Sequence, residues 1–220
     1  MIAGIAYLVL TQAKIVKPAP AIFADAATRN VVSACRKAFA NLKSARFTIT
    51  SGGETKRYTF SSGRVAAAQR GAQWTFDNRR FTIQNGKGLY RGRISPFSVN
   101  SWLTRAGAAP EVLPIHLIAH KNPVDALVAP GSRVRKVGVM TKGGVTADLV
   151  EIKSAGLRVS VAIRRDNHLF ANLSADNMDA RNRVLSSSSR SVAWSAINTA
   201  FPAQTFQLGG QTAQGLRNIH

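Results

Sequence analysis

The chain has 220 residues, enough to bury one sizeable core and too few for three domains. Hydrophobic residues make up 45% and charged residues 18%, which excludes a disordered chain. Lys and Arg number 30 against 10 acids, a net charge of +20 spread along the chain rather than gathered in blocks. Such a balance favours solubility and attraction to anionic surfaces.

Residues 2–10 form an apolar run of small and aliphatic residues, followed by Thr11-Gln12-Ala13 and Lys14. This is the pattern of a secretory signal, too short to span a bilayer as a helix. The chain therefore divides into a signal peptide and linker over 1–24, a single domain over 25–208 and a flexible tail over 209–220. Export follows from that division. A helix starts near Asp25 or Thr28, either of which can cap it. Val31, Val32, Cys35, Phe39 and Leu42 recur at helical spacing on its apolar side, with Arg29, Arg36, Lys37 and Lys43 opposite.

From Arg46 the apolar period changes to two. Short alternating runs, separated by Gly52-Gly53, Asp77-Asn78 and Asn85-Gly86, predict a meander of antiparallel strands through Arg93. Pro96 interrupts it. Residues 97–105, the apolar residues 110–120 and residues 123–128 predict two or three short helices. A second strand group fills 133–176, broken at Gly143-Gly144, Ala155-Gly156 and Asp166-Asn167. A Ser-rich strand covers 181–192, and Trp194, Ile197, Phe201 and Phe206 anchor a closing segment.

Catalytic constellations are mostly absent from this pattern, and nothing in the spacing of the acids proposes a carboxylate pair. The acids stand mostly in turns and at helix starts, where carboxylates cap local structure. No Gly-x-Ser-x-Gly elbow occurs. His116 and His120 would share a helix face, but Pro114 precedes them and no Glu adjoins His116 in the metalloprotease manner, so no metal and no cofactor are expected. Cys35, the one cysteine, has no partner for a disulfide and lies on an apolar stripe, as a buried structural cysteine does. Aromatic residues interleave with Arg between 57 and 93, as in a single-strand nucleic-acid binder. They fall on alternate positions, however, which makes them the inward face of the sheet. No nucleic-acid partner is expected.

Four phrases resemble a known superfamily. Residues 38–47 (Ala-Phe-Ala-Asn-Leu-Lys-Ser-Ala-Arg-Phe) look like its helix-to-strand junction, and Pro114-Ile115-His116-Leu117-Ile118 like its inserted helix. Residues 161–169 look like its strand and Asp-containing turn, and Phe201-Pro202-Ala203-Gln204-Thr205-Phe206 like its ending. The family is the periplasmic lipoprotein-carrier superfamily, which includes the lipid-sensing domains of envelope-stress regulators. The resemblance implies a mainly β (α+β) fold: a half-open antiparallel β-barrel or strongly curved sheet, one N-terminal helix, and short inserted helices as a lid over an apolar cavity.

On this reading Trp74, Phe76, Phe81 and Tyr90 line the sheet face of the cavity. Trp102, Leu103, Leu117 and Ile118 form the lid, and Arg46 or Arg57 stands as a polar handle by position. The protein is then a non-catalytic, exported, monomeric carrier or sensor of lipid or lipoprotein acyl chains, held near anionic membrane surfaces or an envelope protein partner. Two other readings remain at this stage. One is a module of the same fold with a filled core and a protein partner, and the other is a polyanion or nucleic-acid binder.

Overall fold

The computed structural model describes residues 20–69, 71–86, 88–106 and 111–208, with the backbone of 216–218. A two-residue strand, β1 (Ile22–Phe23), leads into α1 (Ala26–Ala40). The Asp25 carboxylate accepts the Thr28 N–H at 2.6 Å and caps the helix. The buried residues of α1 are Thr28, Val32, Cys35 and Phe39, one stripe at helical spacing. Phe39 delivers that stripe to the sheet: its ring lies 4.7 Å from Phe170 and 5.9 Å from Trp194.

Six strands follow as an antiparallel meander: β2 (Ser44–Ser51), β3 (Glu54–Ser61), β4 (Arg64–Gln69), β5 (Ala72–Asp77), β6 (Arg80–Asn85) and β7 (Gly88–Arg93). Strand alternation sends Phe47, Tyr58, Trp74, Phe81 and Ile83 to one face. Their rings form a ladder across the sheet: Phe47 to Tyr58 at 4.9 Å, Tyr58 to Trp74 at 6.2 Å and Trp74 to Phe81 at 6.1 Å. This is the inner face, and all five residues are buried.

A 3-10 turn (Pro96–Ser98) and three short helices form the insert: α2 (Val99–Arg105), α3 (Val112–Ile118) and α4 (Pro123–Leu127). They pack on the inner face, where Val99, Leu103, Leu117 and Ile118 join the core. Pro114 is tolerated because it stands in the first turn of α3, where backbone N–H groups have no helical acceptor. At α4 the Asn122 side chain caps Val124 N at 3.0 Å and also donates to the Arg36 carbonyl at 2.8 Å, tying this helix to α1.

The second meander is β8 (Arg133–Lys142), β9 (Val145–Ser154), β10 (Leu157–Arg164), β11 (Phe170–Met178) and β12 (Val184–Ser195). The C-terminal half of β12 pairs with β2, Ser191 opposite Thr50 through Ser195 opposite Arg46, and fuses the two meanders into one sheet. A last short strand, β13 (Leu216–Asn218), runs parallel to β7, as β1 does to β8. The 13-stranded sheet has β1 and β13 as its two ends and does not close. The architecture is thus the half-open, mainly β fold read from the sequence, with one N-terminal helix and short inserted helices.

Some boundaries differ from expectation. β1 falls within the stretch assigned to leader and linker, and β13 within the stretch assigned to the tail. The residues read as a signal, 2–10, lie outside the described residues. The closing segment crosses the outer face, where Arg46 lies 5.1 Å from the Phe201 ring centroid and Arg64 lies 4.7 Å from that of Phe206.

Candidate functional site

The inner face is filled unevenly. Over β2–β6 the aromatic ladder meets α2 and α3 in a packed core. Over β10–β12 the covering helices are α3 and α4, seven and five residues long, and they leave a half-open cavity of about 240 Å³. That exceeds the roughly 150 Å³ of an apolar cavity known to stay dry and accept benzene. The sheet contributes Ile49, Val159, Phe170, Leu173 and Val192 to its wall, and the helices contribute Val112, Leu113 and Leu127. Val112 is 60% exposed although it stands on this wall, which marks the open side.

Three polar side chains interrupt the apolar lining: Glu111, Arg190 and His116. Glu111 precedes α3 and is 5% exposed. One of its oxygens accepts from Lys56 Nζ on β3 at 2.9 Å, and the other from Arg190 Nε on β12 at 3.0 Å. Lys56 is itself buried, facing inward with Tyr58 and Phe60. The carboxylate thus fastens the start of α3 to two strands on opposite sides of β2. His116 Nδ1 is buried without a hydrogen-bond partner. Burial, and then the charge of Lys121, lower the His116 pKa, so the imidazole is neutral at pH 7.

No family model and no curated protein matches the chain. Solved structures do. Lipoprotein LppX of Mycobacterium tuberculosis superposes with a TM-score of 0.52 at 12% identity, over 81% of this chain and 98% of that one. LprF of Mycobacterium bovis superposes with a TM-score of 0.52 at 9% identity, over 81% of this chain and 96% of that one. The chain shares the fold of these two structures.

Within this half-barrel, the residues expected to form the site are not gathered at the cavity. Trp74, Phe76 and Phe81 are sealed in the core together with Leu103, Leu117 and Ile118. Tyr90 and Trp102 do meet, but at a separate cleft of about 110 Å³ beside Ile83 and Arg105, whose guanidinium lies 5.1 Å from the Trp102 ring centroid. Arg46 and Arg57 are exposed, because strand alternation turns them to the outer face. The inward basic residue of β3 is the neighbour of Arg57, Lys56. Its position on the face of Tyr58 and Phe60 was readable from the period of two. The cavity wall was also signalled, more faintly, by Leu157-x-Val159 and by Leu173-x-Ala175. What the sequence did not announce is that the short helices cover the aromatic strands and leave these aliphatic ones partly bare.

Among the described residues no group of three or more His, Cys, Asp or Glu side chains could hold a metal ion. Cys35 is fully buried, and burial pushes its thiol pKa far up, against the form that attacks or ligates.

Proposed function

We propose that this protein is an exported, non-catalytic binding protein that carries or senses an acyl chain of a lipid or lipoprotein, held in the cavity beneath α3 and α4. The observation that carries the reading is the half-open apolar cavity of about 240 Å³, walled by aliphatic side chains of β10–β12 and the two helices. Such a site binds by burying apolar area, at about 25 cal/mol per Å². Its volume suits one aliphatic chain rather than a bundle of several. The lipoprotein-carrier-like fold supports the ligand class, and the apolar run at residues 2–10 supports export.

Native mass spectrometry of the protein purified from its own envelope fraction, followed by organic extraction, tests this. A co-purifying acyl lipid is expected, with uptake of a fluorescent fatty-acid probe by the delipidated protein. Ala175→Trp places an indole in the cavity and should abolish uptake while circular dichroism remains unchanged. Protein that carries no lipid and takes up no probe would overturn the proposal. It would leave a filled-core interaction module, which the packed aromatic half of the molecule favours.

A further inference from the structure

Charge is distributed unequally over the two halves of the sheet. Most ion pairs among the described residues join β8–β12 partners, such as Arg135 with Glu151, Lys136 with Asp148 and Arg158 with Asp176. Between residues 64 and 98 the described charged residues are Arg64, Asp77, Arg79, Arg80, Arg91 and Arg93. None of them enters an ion pair among the described residues. Asp77 stands opposite Arg80, but its Oδ1 is buried without a hydrogen-bond partner.

Two features of this end are unfavourable in themselves. Arg80 and Arg93 are directly opposite on β6 and β7, a like-charge cross-strand pair. The two-residue loop between β5 and β6 is Asn78-Arg79, with φ of 45° and 69°. The second position of such a turn favours glycine, and a long side chain there is strained. Arg79 is nonetheless present, and its carbonyl accepts Ile94 N at 2.9 Å, which fixes the turn against the strand end.

Arg79 and Arg93 line an open cleft of about 680 Å³ together with Ile94, Ser95, Pro96 and Phe97. Phe97 is 59% exposed, the one aromatic among the exposed large apolar residues described. It is presented rigidly on the 3-10 turn, which Ser95 caps through Ser98 N. Lys121 brings a further cation to 5.7 Å from the ring centroid. Cations without paired acids around a protruding aromatic match an interfacial membrane anchor. A single-stranded nucleic acid would need several stacking platforms, and this patch offers one.

We infer that Arg79, Arg80, Arg91, Arg93 and Lys121 dock the protein on the anionic surface of a lipid bilayer, with Phe97 entering the headgroup region. The site is separate from the cavity beneath α3 and α4, and acyl-probe uptake should persist when it is removed.

The test is co-sedimentation with vesicles of phosphatidylcholine alone and of phosphatidylcholine with one third phosphatidylglycerol, at low and high salt. Binding to the anionic vesicles only, weakening with salt, is expected. Arg79→Gly and Arg93→Gln should each weaken it about fivefold, and Phe97→Ser should weaken it further, with Phe97→Trp restoring it. Glycine relieves the turn, so Arg79→Gly should melt no lower than the parent while binding less. Arg181→Gln, at the far β11–β12 turn, should bind as the parent does. Equal losses at Arg181 and Arg79 would overturn the inference in favour of diffuse charge. Stronger binding to heparin through the same arginines, indifferent to Phe97→Ser, would overturn it in favour of a soluble polyanion.

Discussion

Lys56 and Glu111 are each buried to about 5% side-chain exposure and lie 2.9 Å apart, 55 residues distant in the chain. Removing two charges from water costs several kcal/mol per ion, which the pairing must offset. Breaking it from one side is therefore worse than replacing both. Glu111→Gln should destabilise the protein by about 3–5 kcal/mol, because the buried Lys56 side chain loses its carboxylate. Lys56→Met combined with Glu111→Leu should recover most of that loss. Urea unfolding of the three proteins measures both, and a Glu111→Gln protein as stable as its parent would contradict the assigned pairing. Half of this pair was legible. The period of two turns Lys56 inward, and a buried lysine demands an acid. Which acid answers it depends on how the insert folds back over the sheet, and no local pattern encodes that.

At the level of elements, turn chemistry was the most readable feature. The two-glycine loops at 52–53 and 143–144 have positive φ at both central residues, as their sequence implies. The β3–β4 turn is Ser62-Gly63, also with positive φ at both, 43° and 82°. Its contact was not readable: a Cβ on Gly63 would stand 2.7 Å from His120 Nε2, just beyond α3. This turn therefore supports the far end of the same helix that Glu111 holds at its start. Gly63→Ala should cost about 1–2 kcal/mol from the left-handed backbone, plus a smaller steric part because the imidazole can swing aside. Adding His120→Ala should return only the steric part. Thermal melts of the single and double variants separate the two contributions, and full rescue by His120→Ala would show that the backbone conformation costs nothing.

At the scale of the whole molecule, the half-open sheet was legible because strand period, hairpin turns and the helical insert each follow from local sequence. The pairing of β12 with β2, which makes one sheet of two meanders, joins residues far apart in the chain and has no such signature. The cavity inherits that difficulty, since it exists only where the fused sheet outruns its short helices. The same fusion gives the molecule two unlike halves, an aromatic one over β3–β6 and an ion-paired one over β8–β12. Acid should distinguish them. Burial alone would raise the Asp148 pKa, but hydrogen bonds from Arg165 and Lys136, with their charges, outweigh it and hold the carboxyl below its ordinary value. Asp166 is lowered mainly by Arg164, Asp176 by Ser187 and Arg158, and Asp179 by Arg183. A lowered acid stabilises the fold fully above its unfolded pKa, near 4, and that contribution is lost as pH falls through the lower folded value. His116, lowered by burial and then by Lys121, acts in the same direction but from about pH 6.5 downward, because the unfolded chain takes up that proton more readily. Stability should therefore decline gently below about pH 6.5 and steeply below about pH 4. Hydrogen exchange followed through that range should show amides of β8–β12 losing protection before those of β3–β6, where Lys56 with Glu111 is the one ion pair among the described residues. Earlier loss in β3–β6, or uniform loss across the sheet, would mean that the ion pairs are not what distinguishes the two halves in acid.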